Sequence, residues 1–199
     1  MLTLFHAPRS RSSAIVQLID EMGVHGAVTI REVGISRQDG SGGADPQNPH
    51  PDGKVPFLTH DGVGMSELNA IALYLTEVFP QTGLGYAPGD PLRGPYLSWL
   101  AWYGNVLEPV LHFHFFQIDS PQLARTFRDF PTAMARIEAQ LAQTPWLIGD
   151  RYSAADLLVV QIFLRFPALM PETGPVPDWV ARCAGRPAAK RIAKEEAAG

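Results

Sequence analysis

Three prolines and three glycines crowd the twelve residues from Pro80 to Pro91. Proline fixes φ and removes an amide donor, while glycine resists ordering, so neither a helix nor a strand runs through such a stretch. It divides the 199-residue chain into two parts of different patterning, read here as residues 1–79, a linker over 80–90, and residues 91–199. Either part is long enough to close around its own core.

Short strand and helix patterns alternate in the first part. Leu2 to His6 is an apolar run closed by Ala7-Pro8 and suits a buried strand. Over 12–22, Ile15, Leu18, Ile19 and Met22 share one face at helical spacing, and Gly23 provides the stop. Val28 to Val33 alternates with period two, a second strand. Gly34 to Asp52, with Gly40, Gly42, Gly43 and three prolines, reads as a long mobile loop with at most a weak helix. Val55 to Thr59 is a third strand, and His60-Asp61-Gly62 a tight turn, because Asp-Gly tolerates positive φ. Val63 to Met65 completes a hairpin, and a helix starting near Ser66 buries Ile71, Leu75 and Val78. The order β-α-β, loop, β-β-α is that of a thioredoxin-like domain.

The second part is helical throughout. Ser120-Pro121 has a capping hydroxyl and a proline suited to the first turn. Phe127, Phe130, Met134, Ile137 and Leu141 form one stripe, with Pro109 and Pro131 expected to kink or break their helices. At Gly149-Asp150-Arg151-Tyr152-Ser153-Ala154-Ala155-Asp156, Asp156 can reach back to the Ser153 amide in a capping box, with Tyr152 stapling onto Leu157. The helix beyond is apolar on nearly every side and belongs at the centre of its domain.

Composition excludes several classes. A net charge of -4 without a basic stripe argues against nucleic-acid binding. The single cysteine, Cys183, allows no intramolecular disulfide or Cys-based zinc site, and reads as a small buried residue. His112 and His114, two apart on a helix, diverge too far for a metal pair, so no metal is expected. The longest apolar run, around Leu157 to Leu164, is too short to span a bilayer. With no leader pattern in Met1 to His6, a soluble cytoplasmic protein that uses neither membrane nor nucleic acid is expected.

Four segments, in order, resemble the cytosolic glutathione S-transferases of serine-type, bacterial kind. They are Pro8-Arg9-Ser10-Arg11-Ser12-Ser13, Asn48-Pro49…Gly53-Lys54-Val55-Pro56-Phe57-Leu58, Ser66-Glu67-Leu68-Asn69-Ala70-Ile71, and the capping segment 149–156. The resemblance implies a glutathione-binding thioredoxin-like domain followed by an all-helical one, a small hydrophobic electrophile or a peroxide as second substrate, and a two-fold dimer. It implies a cis bond before Pro56, with Val55 offering its N–H and C=O to the cysteinyl backbone as an added strand would. Lys54 stands where the family often contacts a ligand carboxylate. Glu67 matches the residue that holds the γ-glutamyl group at a helix start, where free amides favour an anion. Leu68 departs from the pattern: a serine usually stands there, so one hydroxyl contact is missing and only the backbone N–H remains. The segment between Asn48 and Gly53 also exceeds the family's length by about two residues, so its contacts do not carry over.

The chemistry implied is thiol ionisation. A free thiol titrates near 8.5, so about 3% is thiolate at pH 7. About 2.7 kcal/mol of stabilisation would lower that by two units. A hydroxyl donor plus the start of the first helix can supply much of this. Counting back six from Val16, as the serine-type classes do, gives Ser10, with Ser12 the next candidate. Taken without the resemblance, both hydroxyls read as helix caps. His6 is the weaker option, since strand alternation is expected to point it away. Trp102, Tyr103 and Leu107 are the candidates for an apolar substrate pocket, although such spacings also describe core. The competing reading is a non-catalytic binding or scaffold protein of the same fold; a glutathione-dependent isomerase would use the same site.

Overall fold

The computed structural model describes residues 1–198. Its chain forms two compact units, one of residues 1–82 together with the segment from Gly185 onward, the other of residues 83–184. The boundary near residue 82 falls at the Pro/Gly-rich stretch. The terminal segment was expected with the helical part, but it packs into the sheet unit.

In the sheet unit, β1 (Leu2–His6), β2 (Val28–Glu32), β3 (Phe57–His60) and β4 (Val63–Met65) form one sheet in the order β2-β1-β3-β4. β1 and β2 are parallel, whereas β3 runs antiparallel to both β1 and β4. This is the thioredoxin-like arrangement, a parallel pair with an antiparallel hairpin beside it. β3 starts two residues later than the sequence suggests, after a Val55–Pro56 peptide bond that is cis. The hairpin turns through Asp61 at φ 50° and Gly62 at φ 86°, as an Asp-Gly turn of this type requires.

Helix α1 (Ser13–Met22) buries Ile15, Leu18 and Ile19 completely and ends at Gly23 in the left-handed region. Helix α2 (Leu68–Val78) buries Ile71 and Leu75. It begins two residues after Ser66, because Glu67 holds a positive φ that no helix accepts. Gly34 to Asp52 contains no helix. A bridge between Ser36 and Gly42 folds its first half, and the Asp45 carboxylate receives the Gly34 and Gln47 amides.

The C-terminal helix α9 (Pro187–Ala198) packs on α1. Arg186, just ahead of it, grips the buried Glu21 carboxylate through three contacts of 2.6–2.9 Å, and Arg191 pairs with Asp20.

The second unit holds α3 (Arg93–Trp102), a π-turn over Tyr103–Leu107, α4 (Glu108–Phe115), α5 (Pro121–Phe127), α6 (Phe130–Leu141), α7 (Ala154–Arg165) and α8 (Pro175–Ala184). Pro109 lies at the start of α4, directly after the π-turn, and Pro131 in the first turn of α6. The stripe expected through Phe127 and Phe130 is therefore interrupted at Arg128, at φ 67°, and the buried face of α6 runs Ala133, Ile137, Leu141. α7 is the central helix, with Leu157, Leu158 and Val159 fully buried. At its head the Asp156 carboxylate accepts the Ser153 amide and hydroxyl, the Leu147 amide and the Trp179 indole at 2.9–3.1 Å. No helix among the described residues is long and apolar enough to cross a membrane.

Candidate active site

Strand register determines which residues meet. Phe5 pairs with Phe57 across the antiparallel β1–β3 ladder, and Leu58 pairs with Met65 across β3–β4. The chain leaving β1, the chain entering β3 and the chain leaving β4 consequently emerge at one end of the sheet. Those segments carry Ser10 and Ser12, Lys54 to Pro56, and Glu67 with Leu68. Three stretches of sequence far apart in the chain are gathered by strand pairing alone.

Ser10 and Ser12 are in the loop between β1 and α1, and they differ in exposure. Ser12 is fully buried, while Ser10 is half-buried. The Ser12 Oγ lies 2.7 Å from His6 Nδ1 and 2.7 Å from Ser10 Oγ, and it accepts the Ala7 amide at 3.2 Å. Ser10 Oγ donates to the Ala7 carbonyl at 2.7 Å and accepts the Ser12 amide at 3.1 Å. His6 thus turns toward the serines, contrary to the alternation argument. β1 is an inner strand covered on both faces, with Leu4, Phe5 and His6 all buried, so alternation carries no information on where His6 points. Burial pushes the His6 pKa below its ordinary value, with Glu32 and Glu196 pulling the other way.

The loop is held from outside as well. Arg37 donates to the carbonyls of Pro8 and Arg9 at 2.8 and 3.3 Å. Glu196 of α9 accepts the Arg9 amide at 3.0 Å and a hydrogen bond from Ser13 Oγ. Arg9 itself has φ 56°, a conformation that surrounding contacts must impose on a non-glycine residue. Neither Arg37 nor Glu196 carries any local sign of this duty in the sequence.

At the second segment Val55 is half-buried, Pro56 buried and Lys54 exposed. The buried Asn48 donates its side-chain amide to the Lys54 carbonyl at 3.2 Å, which ties the preceding loop to the entry of β3. At the third, Glu67 combines an exposed side chain with φ 71° and ψ 118°, and Leu68 buries its side chain as the first residue of α2. The amides of that first turn cannot be satisfied within the helix and suit an anion.

Trp102, Tyr103 and Leu107 belong to the helical unit. Leu107 is fully buried and the other two nearly so. Trp102 packs edge-on against Trp99 at 5.2 Å, Arg136 lies 4.7 Å over its ring, and Tyr103 donates to Glu108 at 3.0 Å. Cys183 is buried in α8. Among the described residues no three His, Cys, Asp or Glu side chains are grouped to hold a metal ion.

Comparison with known proteins adds an independent line. The family model for the glutathione S-transferase C-terminal domain matches residues 107–191. Protein LigF of a Sphingobium species is 26% identical over 147 residues, which cover 54% of this chain and 57% of that protein, so the chain spans little more than half of that relative. The disulfide-bond oxidoreductase YfcG of Escherichia coli is 29% identical over 160 residues, 69% of this chain and 70% of that one. Among solved structures, a sphingomonad glutathione S-transferase complexed with glutathione superposes with a TM-score of 0.76 at 26% identity, covering 99% of this chain and all of the other. A glutathione transferase from Methylococcus capsulatus gives the same TM-score and identity with complete coverage of both.

Proposed function

This chain belongs to the cytosolic glutathione S-transferase family, and from that premise we propose that its sheet unit binds glutathione and ionises the thiol through Ser10. The observation that carries the reading is the convergence of the Ser10 loop, the cis-Pro56 segment and the start of α2 at one end of the sheet. Val55 pairs with the cysteinyl backbone. Glu67 receives the γ-glutamyl amine, and the first-turn amides of α2, including that of Leu68, receive its carboxylate. Lys54, exposed beside them, attracts a second carboxylate.

Ser10 is the donor to sulfur, and Ser12 supports it. Their exposure supports this division: a fully buried hydroxyl cannot touch a ligand, while a half-buried one can. The thiol proton leaves to solvent, and the hydroxyl then donates to the thiolate that remains. That thiolate attacks a small electrophile or a peroxide, forming a bond from sulfur to the electrophilic atom as the leaving group departs with its electron pair. The same surface would serve a non-catalytic glutathione-binding protein, a reading that the missing hydroxyl at Leu68 favours. As a family member the chain is proposed to work as a homodimer.

Retention on immobilised glutathione, followed by turnover of a generic aromatic halide, tests the proposal. Glu67→Ala should lose retention. Ser10→Ala should keep it and lose about ten- to a hundredfold in turnover, the worth of one hydrogen bond to a charged group. Turnover in Ser10→Ala equal to that of the parent, or no turnover in either, would remove the catalytic assignment.

A further inference from the structure

The proton positions around Ser10 follow from counting. A serine oxygen has one proton and two lone pairs. The Ala7 carbonyl can only accept, so at 2.7 Å the Ser10 proton must point to it. One lone pair of Ser10 Oγ receives the Ser12 amide. The remaining lone pair faces Ser12 Oγ at 2.7 Å, so Ser12 must donate there. Ser12 Oγ also lies 3.3 Å from the Ala7 carbonyl, but that carbonyl already accepts from Ser10 and the 2.7 Å contact to Ser10 Oγ is the shorter, so Ser12 has spent its proton there. It receives the Ala7 amide on one lone pair and faces His6 Nδ1 at 2.7 Å with the other. Two unprotonated atoms at that distance would repel, so the proton between them belongs to His6.

From this chain of requirements we propose that His6, protonated on Nδ1, is a positioning residue that acts through Ser12 to commit the Ser10 hydroxyl to donating. In that state both lone pairs of Ser10 Oγ are occupied by donors from Ser12. The oxygen has nothing to offer a ligand except its proton, which moves from the Ala7 carbonyl to the sulfur. All three links point the same way, so each polarises the next. With the proton on Nε2 instead, Nδ1 would draw the Ser12 proton, Ser10 would turn its own proton inward to Ser12, and a lone pair would face the thiolate. One imidazole tautomer therefore decides whether Ser10 attracts or repels the nucleophile. His6 is buried and carries no contact to the ligand in this scheme; its effect is on orientation.

The inference rests on the reading of Ser10 as the thiol donor, and the test separates the two. In the free protein, nitrogen NMR of ring-labelled histidine should show His6 with Nδ1 protonated; a His6 protonated on Nε2 alone overturns the proposal without reference to any ligand. With glutathione added, thiolate absorbance in the near ultraviolet gives the bound thiol's titration. His6→Leu should raise that midpoint by about one unit, a change of about tenfold in the bound thiol's ionisation constant. Its affinity for S-methylglutathione, which has no thiol to ionise, should change less than threefold. His6→Asn, whose amide can place an N–H where Nδ1 stands, should restore most of the shift. A His6→Leu midpoint equal to the parent's, or His6→Asn as impaired as His6→Leu, overturns the relay. Activation lost in Ser10→Ala but kept in His6→Leu overturns the relay alone. A parent protein that leaves bound glutathione at its free-solution midpoint overturns both readings.

Discussion

His6 links fold stability to acidity as well as positioning Ser10. Its folded-state pKa is held below the ordinary value near 6.5 by burial, against the pull of Glu32 and Glu196. Protonation therefore favours the unfolded chain. The contribution of the neutral ring is complete above about pH 6.5 and is lost as the pH falls from there through the lower folded-state value. Melting temperatures of the parent and His6→Asn should draw together between pH 7.5 and 5, with the parent falling more steeply; parallel curves would contradict this. The sequence discloses Ser10 and Ser12 because serines ahead of a helix are locally meaningful. It does not disclose that His6 turns to them, since an inner strand buried on both faces leaves no alternating pattern to read. Glu67 is a similar case: its residue type was legible as a helix-start acid, but its φ of 71° is imposed by the chain around it.

Among the elements, the β3–β4 hairpin bears most directly on the site, because β3 begins where Pro56 ends. The ring of Phe57, the first residue of β3, packs against Phe5 at 6.3 Å and His50 at 5.5 Å, and it lies over Gly64 in β4. A Cβ at position 64 would approach that ring to 2.3 Å. Gly64→Ala must displace Phe57 and with it the entry to β3. A loss of about 1–3 kcal/mol in urea unfolding is expected, together with weaker retention on glutathione. Unchanged retention at reduced stability would show that Val55 does not depend on the ring. The hairpin itself was legible, since Asp61-Gly62 specifies its turn, and so was the capping box at Ser153–Asp156. Both are written within a few residues. The long loop between β2 and β3 was less so: its order comes from Asp45, Arg37 and the Ser36–Gly42 bridge, none of which a composition of glycines and prolines announces.

Across the whole molecule, the least legible feature is the place of α9. Glu196 meets Arg9 across 187 positions, and Arg186 meets Glu21 across 165; no periodicity spans such distances. Removing residues 185–199 takes away Arg186, Arg191 and Glu196 together. It takes the guanidinium of Arg186 from the Glu21 carboxylate and uncovers the face of α1 on which α9 packs, and both losses destabilise the sheet unit. Hydrogen exchange of the truncated chain should show lost protection in residues 1–82 and retained protection in residues 83–184. Equal protection in both segments would show that α9 is dispensable. The sheet unit is thus discontinuous, with all of the helical unit threaded between its two pieces. During synthesis, the loop bearing Ser10 emerges early yet waits for its Glu196 anchor until every residue of the helical unit has been translated. A nascent chain halted at the linker would hold the Ser10 loop without the Glu196 contacts that brace it, so the shape of that loop is completed only once the C-terminal helix has been made.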